Sequence, residues 1–114
     1  NLKIDKHVIN PDGEIKVCID ITNIGRIAGE EIVQMYVGYK NSSVDRPFKD
    51  LKGFTKVFIN PDEKKTIELM LKAEDLGYYD SNRKKWIVEK IEYVIYVGSS
   101  SRNEDLLSTT FKIS

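Results

Sequence analysis

The stretch EIKVCIDIT, Glu14–Thr22, places Ile15, Val17, Ile19 and Ile21 in one register and Lys16, Cys18, Asp20 and Thr22 in the other. Successive side chains of an extended chain point to opposite faces, so this alternation describes a strand with one buried and one solvated side. The rest of the chain makes the same choice. Isoleucine and valine supply 23 of 114 residues against two alanines, which suits pleated strands and is poor for helices, where β-branched side chains lose rotamer freedom. Further strands are expected over residues 2–9, 31–39, 54–59, 66–73, 86–89, 92–98 and 106–113, with turns at Asn10-Pro11-Asp12-Gly13, at 23–29 and at Asn60-Pro61-Asp62. Seven or eight short strands separated in this way predict an all-β, immunoglobulin-like two-sheet sandwich.

The bend at 23–29 leads into Glu30-Glu31-Ile32-Val33-Gln34-Met35-Tyr36-Val37. Adjacent carboxylates invite a reading as a catalytic pair, but neighbours in a strand diverge, whereas a glycosidase pair must converge from two sides of one bond. The bend is read instead as a turn entering a strand. Two stretches break the regularity. Residues 40–53, KNSSVDRPFKDLKG, form a connection of 14 residues without clear periodicity, a length at which a loop usually has a task. Residues 73–85 begin with a helical turn at Glu74-Asp75-Leu76 and continue through two tyrosines to a basic tip.

Composition narrows the function classes. The chain is 40% hydrophobic and 32% charged, the profile of a single domain spanning 1–114. Eighteen basic residues balance 18 acidic ones, so no net field draws in nucleic acid or an anionic membrane. Cys18 is the only cysteine, which excludes an internal disulfide and a thiolate metal cluster. The chain begins at Asn1 and is expected to be a piece excised from a longer polypeptide. A domain of this size buries only about two-thirds of its unfolded surface, so a covering neighbour would help it.

Few residues suggest chemistry of their own. His7, the only histidine, has no local nucleophile or second ligand and is read as a surface strand residue. Gly98-Ser99-Ser100-Ser101 offers consecutive amides to an anion, yet no phosphate-loop or nucleophile-elbow pattern accompanies it. Asp75, Asp80 and Asn82 lack the order of a calcium loop, and Asn41-Ser42-Ser43 is a formal glycosylation sequon. No cofactor or metal is implied. The aromatic residues are more informative. By period two, Tyr93 points inward with Ile95 and Val97, while Tyr36 and Tyr96 lie outward. Outward rings serve either a protein interface or a sugar, since both select flat amphipathic groups.

Several segments in order resemble one family. Asn23-x-Gly25, Ala28 to Val37, and Arg46-Pro47-x-Lys49-x-Leu51-Lys52-Gly53-Phe54-x-Lys56-Val57 are followed by Pro61-Asp62-Glu63, Asp75-Leu76, Tyr79-Asp80 and Trp86-Ile87-Val88-Glu89. Tyr93-Val94-Ile95-Tyr96-Val97-Gly98-Ser99-Ser100 completes the series. Together they resemble the C-terminal fibronectin type III-like domain of glycoside hydrolase family 3, the β-glucosidases, from about Glu14 to the end. Lys90-Ile91 and Asp62 depart from it, standing where that family carries Pro-Gly and glycine, which bears on the local turns. The resemblance implies that the nucleophile and the acid/base carboxylate of a retaining glycosidase lie on upstream domains, so no catalytic residue is assigned here.

The expected role is an accessory, stabilising domain whose partner is the catalytic part of the same polypeptide. Ile32, Gln34 and Tyr36, opposite Val33, Met35 and Val37, together with Arg46 and Pro47 in the long connection, are the expected interdomain contacts. Pro47 would stiffen the loop there, and Arg46 would offer a planar fork. The alternatives are a carbohydrate-binding module with Tyr79 and Trp86 as its platform, or a free-standing interaction domain. An isolated fragment could dimerise through the uncovered face.

Overall fold

In the computed structural model, which describes residues 1–23, 25–99 and 106–114, the strands are β1 (Leu2–Ile4), β2 (Val8–Ile9), β3 (Glu14–Thr22), β4 (Gly29–Lys40), β5 (Asp50–Ile59), β6 (Lys64–Lys72), β7 (Tyr78–Asp80), β8 (Lys85–Ile87), β9 (Glu92–Ser99) and β10 (Leu107–Ile113). A 3-10 turn at Ala73–Leu76 occupies the place where a helical turn was expected. One sheet has the order β1-β3-β6, a second β2-β10-β9-β4-β5, and β7-β8 form a separate hairpin. Ile15, Val17, Ile19 and Leu71 of the first sheet pack on Val33, Met35, Val37, Tyr93, Ile95, Val97, Phe111 and Ile113 of the second. Each of these is an alternate residue of its strand, so the period-two pattern is the cause of the sandwich.

The expected strand over 2–9 is divided. A continuous strand would stay in one sheet, but the chain crosses at residues 5–7, so that β1 pairs antiparallel with β3 and β2 pairs parallel with β10. Backbone groups at the crossing are satisfied on both sides: Asp5 N donates to the Lys16 carbonyl at 3.2 Å, and Lys112 N to the His7 carbonyl at 2.9 Å. His7 therefore sits in a bend, not a strand. The expected structureless 14-residue connection also shortens, because Asp50 to Gly53 pair with β4 and leave only residues 41–49 outside the sheet. Tyr78–Asp80, which has too few residues to show a period, is a strand that the alternation did not reveal.

Asn23 makes the bend between the two sheets. Its side-chain amide donates to the carbonyls of Ile27 and Ile59, both at 3.0 Å, while Gly25 N donates to its Oδ1 at 2.8 Å. Glu30 and Glu31 then enter β4 opposite Phe58 and Val57 on successive, opposed positions, as the divergence argument requires. Asp62 adopts φ 61° at the point where the resembled family has glycine, and Lys84 adopts φ 54° in the hairpin turn. Lys90 and Ile91 do not enter that region, and β9 runs regularly from Glu92.

Phe111, 1% exposed and stacked on Tyr93 with centroids 5.2 Å apart, fills the middle of the core. Phe111→Ala is expected to lower unfolding stability by about 3–5 kcal/mol in urea titrations. Lys84→Gly is expected to raise it by roughly 0.5 kcal/mol, since relief of left-handed strain exceeds the entropy that glycine adds to the unfolded chain.

Candidate functional site

The buried polar point of the described residues lies beside a group of aromatic rings. Arg46 and Glu89 have side chains only 9% exposed each, and their Nη2–Oε1 distance is 2.9 Å. Arg46 also donates from Nη1 to the Leu76 carbonyl at 3.2 Å and from Nε to Ser42 Oγ at 3.3 Å. Its guanidinium lies 4.2 Å from the Tyr39 ring centroid and 5.0 Å from that of Tyr78. Glu89 accepts further bonds from the Ser42 hydroxyl, the Ser43 amide and the Ser43 hydroxyl. Burial pushes this carboxyl up, but the donors of Ser42, Ser43 and Arg46 outweigh it and hold its pKa down to about 2.

The backbone of the same residue anchors a tyrosine. The Tyr93 hydroxyl, fully buried, donates to the Glu89 carbonyl at 2.6 Å, four residues upstream, the geometry of a tyrosine corner. Burial and the nearby Glu89 charge push this phenol up to about 12, so it remains a donor throughout the physiological range. Tyr39 is likewise raised, first by burial and then by its 2.7 Å bond to Asp50. These phenols have no titratable role near neutral pH.

The loop 41–49, fastened by Arg46 and the two serines, folds back across the outer face of the second sheet. A side chain at Gly38 would stand 3.2 Å from the Phe48 carbonyl and 3.3 Å from the Tyr96 ring, so the absence of one there permits the close approach. The loop delivers Phe48, 82% exposed, against Tyr96 at 6.3 Å between centroids, and Lys49 Nζ lies 4.7 Å from the Tyr36 ring. Along the same face, Phe54 stands opposite Gln34 and Phe58 opposite Glu30. A bulge between Met35 and Tyr36 turns Leu51 onto this face. Phe54, Phe58 and Leu51 are all more than half exposed. The result is an aromatic and aliphatic band left uncovered by the described residues.

Ile32, Gln34 and Tyr36 stand half-buried within that band, with the Tyr36 hydroxyl donating to Gln34 Oε1 at 2.8 Å. Pro47 is exposed at the loop's crest. Arg46 is placed differently from its expected role: its planar fork finds a carboxylate and a carbonyl within this chain, and is spent on holding the loop. Tyr79 and Trp86 face one another across the hairpin, 51% and 70% exposed, with ring planes at 72° and centroids 5.6 Å apart. Asp80 caps its own turn through the amides of Asn82 and Arg83, and the described residues hold no cluster of three metal-ligating side chains. Ser100 and Ser101 of the serine run lie outside the described residues.

Sequence reading missed Glu89, Ser42, Ser43, Tyr39 and Tyr78 as one group. Arg46 and Glu89 are 43 residues apart, and no local pattern announces such a pair. The one available signal was Tyr93 four residues after Glu89, the spacing of a tyrosine corner.

Comparison with known proteins agrees with this architecture. A family model described as a fibronectin type III-like domain matches residues 31–101. The thermostable β-glucosidase B of Acetivibrio thermocellus is 44% identical over 103 residues, which cover 90% of this chain and 14% of that protein. A β-glucosidase of Kluyveromyces marxianus is 44% identical over 105 residues, 90% of this chain and 12% of that one. Among solved structures, a β-glucosidase of Erythrobacter marinus superposes with a TM-score of 0.90 at 32% identity, over 99% of this chain and 15% of its own. The Listeria innocua β-glucosidase in complex with glucose gives 0.86 at 30% identity, over all of this chain and 16% of that one. The chain thus spans about one-seventh of the length of such relatives.

The Glu89 arrangement fixes a pH dependence. The folded chain keeps this carboxylate ionised down to about pH 2, whereas the unfolded chain protonates it near the ordinary 4.5. Its stabilisation is therefore whole above pH 4.5 and is lost as the pH falls towards 2, a change on the order of 3 kcal/mol. Asp20, held down to about 2 by hydrogen bonds from Asn1 and Thr66, adds loss in the same direction. Glu89→Gln is expected to cost about 3–5 kcal/mol at pH 7, because it leaves Arg46 buried without a counter-charge. It should also flatten the acid limb of stability measured by urea titration between pH 5 and 2, leaving the Asp20 contribution.

Proposed function

We propose, from the premise that the chain belongs to the fibronectin type III-like domain family, that it is a non-catalytic module of a family 3 glycoside hydrolase of the β-glucosidase type. It docks through the outer face of its five-stranded sheet against the catalytic part of the same polypeptide. The observation that carries this reading is the uncovered band of Phe48, Leu51, Phe54 and Phe58 around Ile32 and Tyr36. Burying one phenylalanine of such a band stabilises by about 1.5–3 kcal/mol, so several together would hold two domains in a fixed relation. Interdomain surfaces also need polar edges, and Gln34, Lys49 and Lys56 supply them among the rings.

The similarity of this chain to one-seventh of several β-glucosidases supports a place beside, not within, the hydrolytic centre. Its own groups agree with that place. Glu89, the buried carboxylate, is committed to Arg46 and two serines, so it is not available to a glycosidic oxygen. The module contributes rigidity and a docking surface, and the bond cleavage belongs to the remainder of the polypeptide.

Phe54→Asp and Phe58→Asp provide the test. In the 114-residue chain each should change unfolding stability by less than about 0.5 kcal/mol, because both side chains are already solvated. In the longer polypeptide each should shorten the half-life of aryl-glucosidase activity at elevated temperature severalfold, and the 114-residue chain by itself should release no aryl alcohol. Equal thermal half-lives for variant and parent would overturn the docking surface.

A further inference from the structure

A second surface, distinct from the aromatic band, has the makings of a ligand site. The hairpin β7-β8 carries Tyr79 and Trp86 as a directly opposed pair. Trp86 also borders a cleft of ≈ 560 Å³ lined with Lys52, Glu74, Asp75 and Gly77. The 3-10 turn supplies both carboxylates, and its Ala73 and Leu76 are wholly buried, so the acidic wall is fixed to the core. Lys52 is turned out of the sheet by the bulge opposite Met35 and Tyr36, and its Nζ donates to the Asp75 carbonyl at 2.9 Å. The carboxylates of Glu74 and Asp75 make no hydrogen bond or ion pair within the described residues.

We propose that this cleft binds a neutral oligosaccharide, engaging the pyranose ring at a chain end. The charge pattern selects the class of ligand. An ammonium ion would be drawn to the two carboxylates and to the indole face, but would meet Lys52 in the same cleft. An anion would be drawn to Lys52 and repelled by Glu74 and Asp75. A sugar is neutral, donates from its hydroxyls to carboxylates and accepts from an ammonium group, and so uses both signs of charge. Its ring with equatorial hydroxyls also has an apolar C–H face that suits an exposed indole.

The ring geometry selects the mode of binding. Tyr79 and Trp86 meet edge to face at 72°, so they form the two walls of a corner and not one flat strip. A flat strip would suit a crystalline polysaccharide surface. A corner whose Trp86 borders a cleft that also holds Glu74, Asp75 and Lys52 suits one terminal ring, the indole meeting its C–H face and the polar groups its hydroxyls. This site does not depend on the docking surface, which is formed by other side chains on the face of the five-stranded sheet.

Trp86 is the only tryptophan, so its emission reports on this cleft alone. Titration of the 114-residue chain with cellotetraose is expected to shift that emission saturably, with half-saturation on the order of 1 mM, as for a small wet site. Sorbitol, which has hydroxyls but no ring, and choline, a cation without hydroxyl pairs, should give no saturable change. The pair Glu74→Gln and Asp75→Asn, at exposed positions that should not disturb folding, is expected to weaken binding about tenfold. Trp86→Ala, followed by calorimetry, should abolish it. Phe54→Asp should leave it unaltered, which keeps this result separable from the docking test. An unresponsive emission up to tens of millimolar sugar (roughly tenfold or more above the expected half-saturation) would falsify the proposal. A saturable response to choline, or full binding by the doubly neutralised variant, would also overturn it.

Discussion

The buried pair of Arg46 and Glu89 is the constraint on which both surfaces of this domain depend. Two charges cannot leave water cheaply unless nearly every lone pair and proton finds a partner, and here Ser42, Ser43, the Leu76 carbonyl and two tyrosine rings complete the set. The requirement is geometric as much as energetic. It draws the loop 41–49, the turn at Ala73–Leu76 and the entry to β9 to one point, and the first two of these carry side chains outward. The loop carries Phe48 onto the sheet face, and the turn carries Glu74 and Asp75 to the hairpin.

Specificity is the better description of what the pair contributes. An apolar replacement of equal volume often stabilises a core as well as a buried ion pair does, since desolvation offsets much of the attraction between buried charges. It would not fix the loop in one register, whereas a planar fork with three directed bonds does so. Tyr93 reinforces the same point from the interior, its hydroxyl held on the Glu89 carbonyl while its ring packs on Phe111 and Tyr39. Polar anchor and apolar core are thus joined through one residue, which ties the loop to the interior of the sandwich.

The two outer faces of the sandwich have different characters. Lys16, Asp20, Glu68 and Lys72 occupy the solvated side of the three-stranded sheet. The five-stranded sheet instead presents Phe54, Phe58 and Leu51 beside Phe48, a concentration of apolar surface that a domain with no neighbour would seldom maintain. The hairpin stands apart from both, mixing rings with unspent carboxylates.

Alternation in the amino-acid sequence determined the class of fold and the inward rows: Ile15, Val17 and Ile19, then Val33, Met35 and Val37, then Tyr93, Ile95 and Val97. It also determined that Glu30 and Glu31 diverge, because period two is a local property of extended backbone. Only the tertiary structure decided that the first strand divides between sheets, that Asp50 to Gly53 join β5 through a bulge, and that Arg46 turns inward to Glu89. Those outcomes rest on contacts between residues tens of positions apart, where the energy of pairing and desolvation depends on which strands become neighbours. Local pattern carries orientation; adjacency belongs to the folded chain.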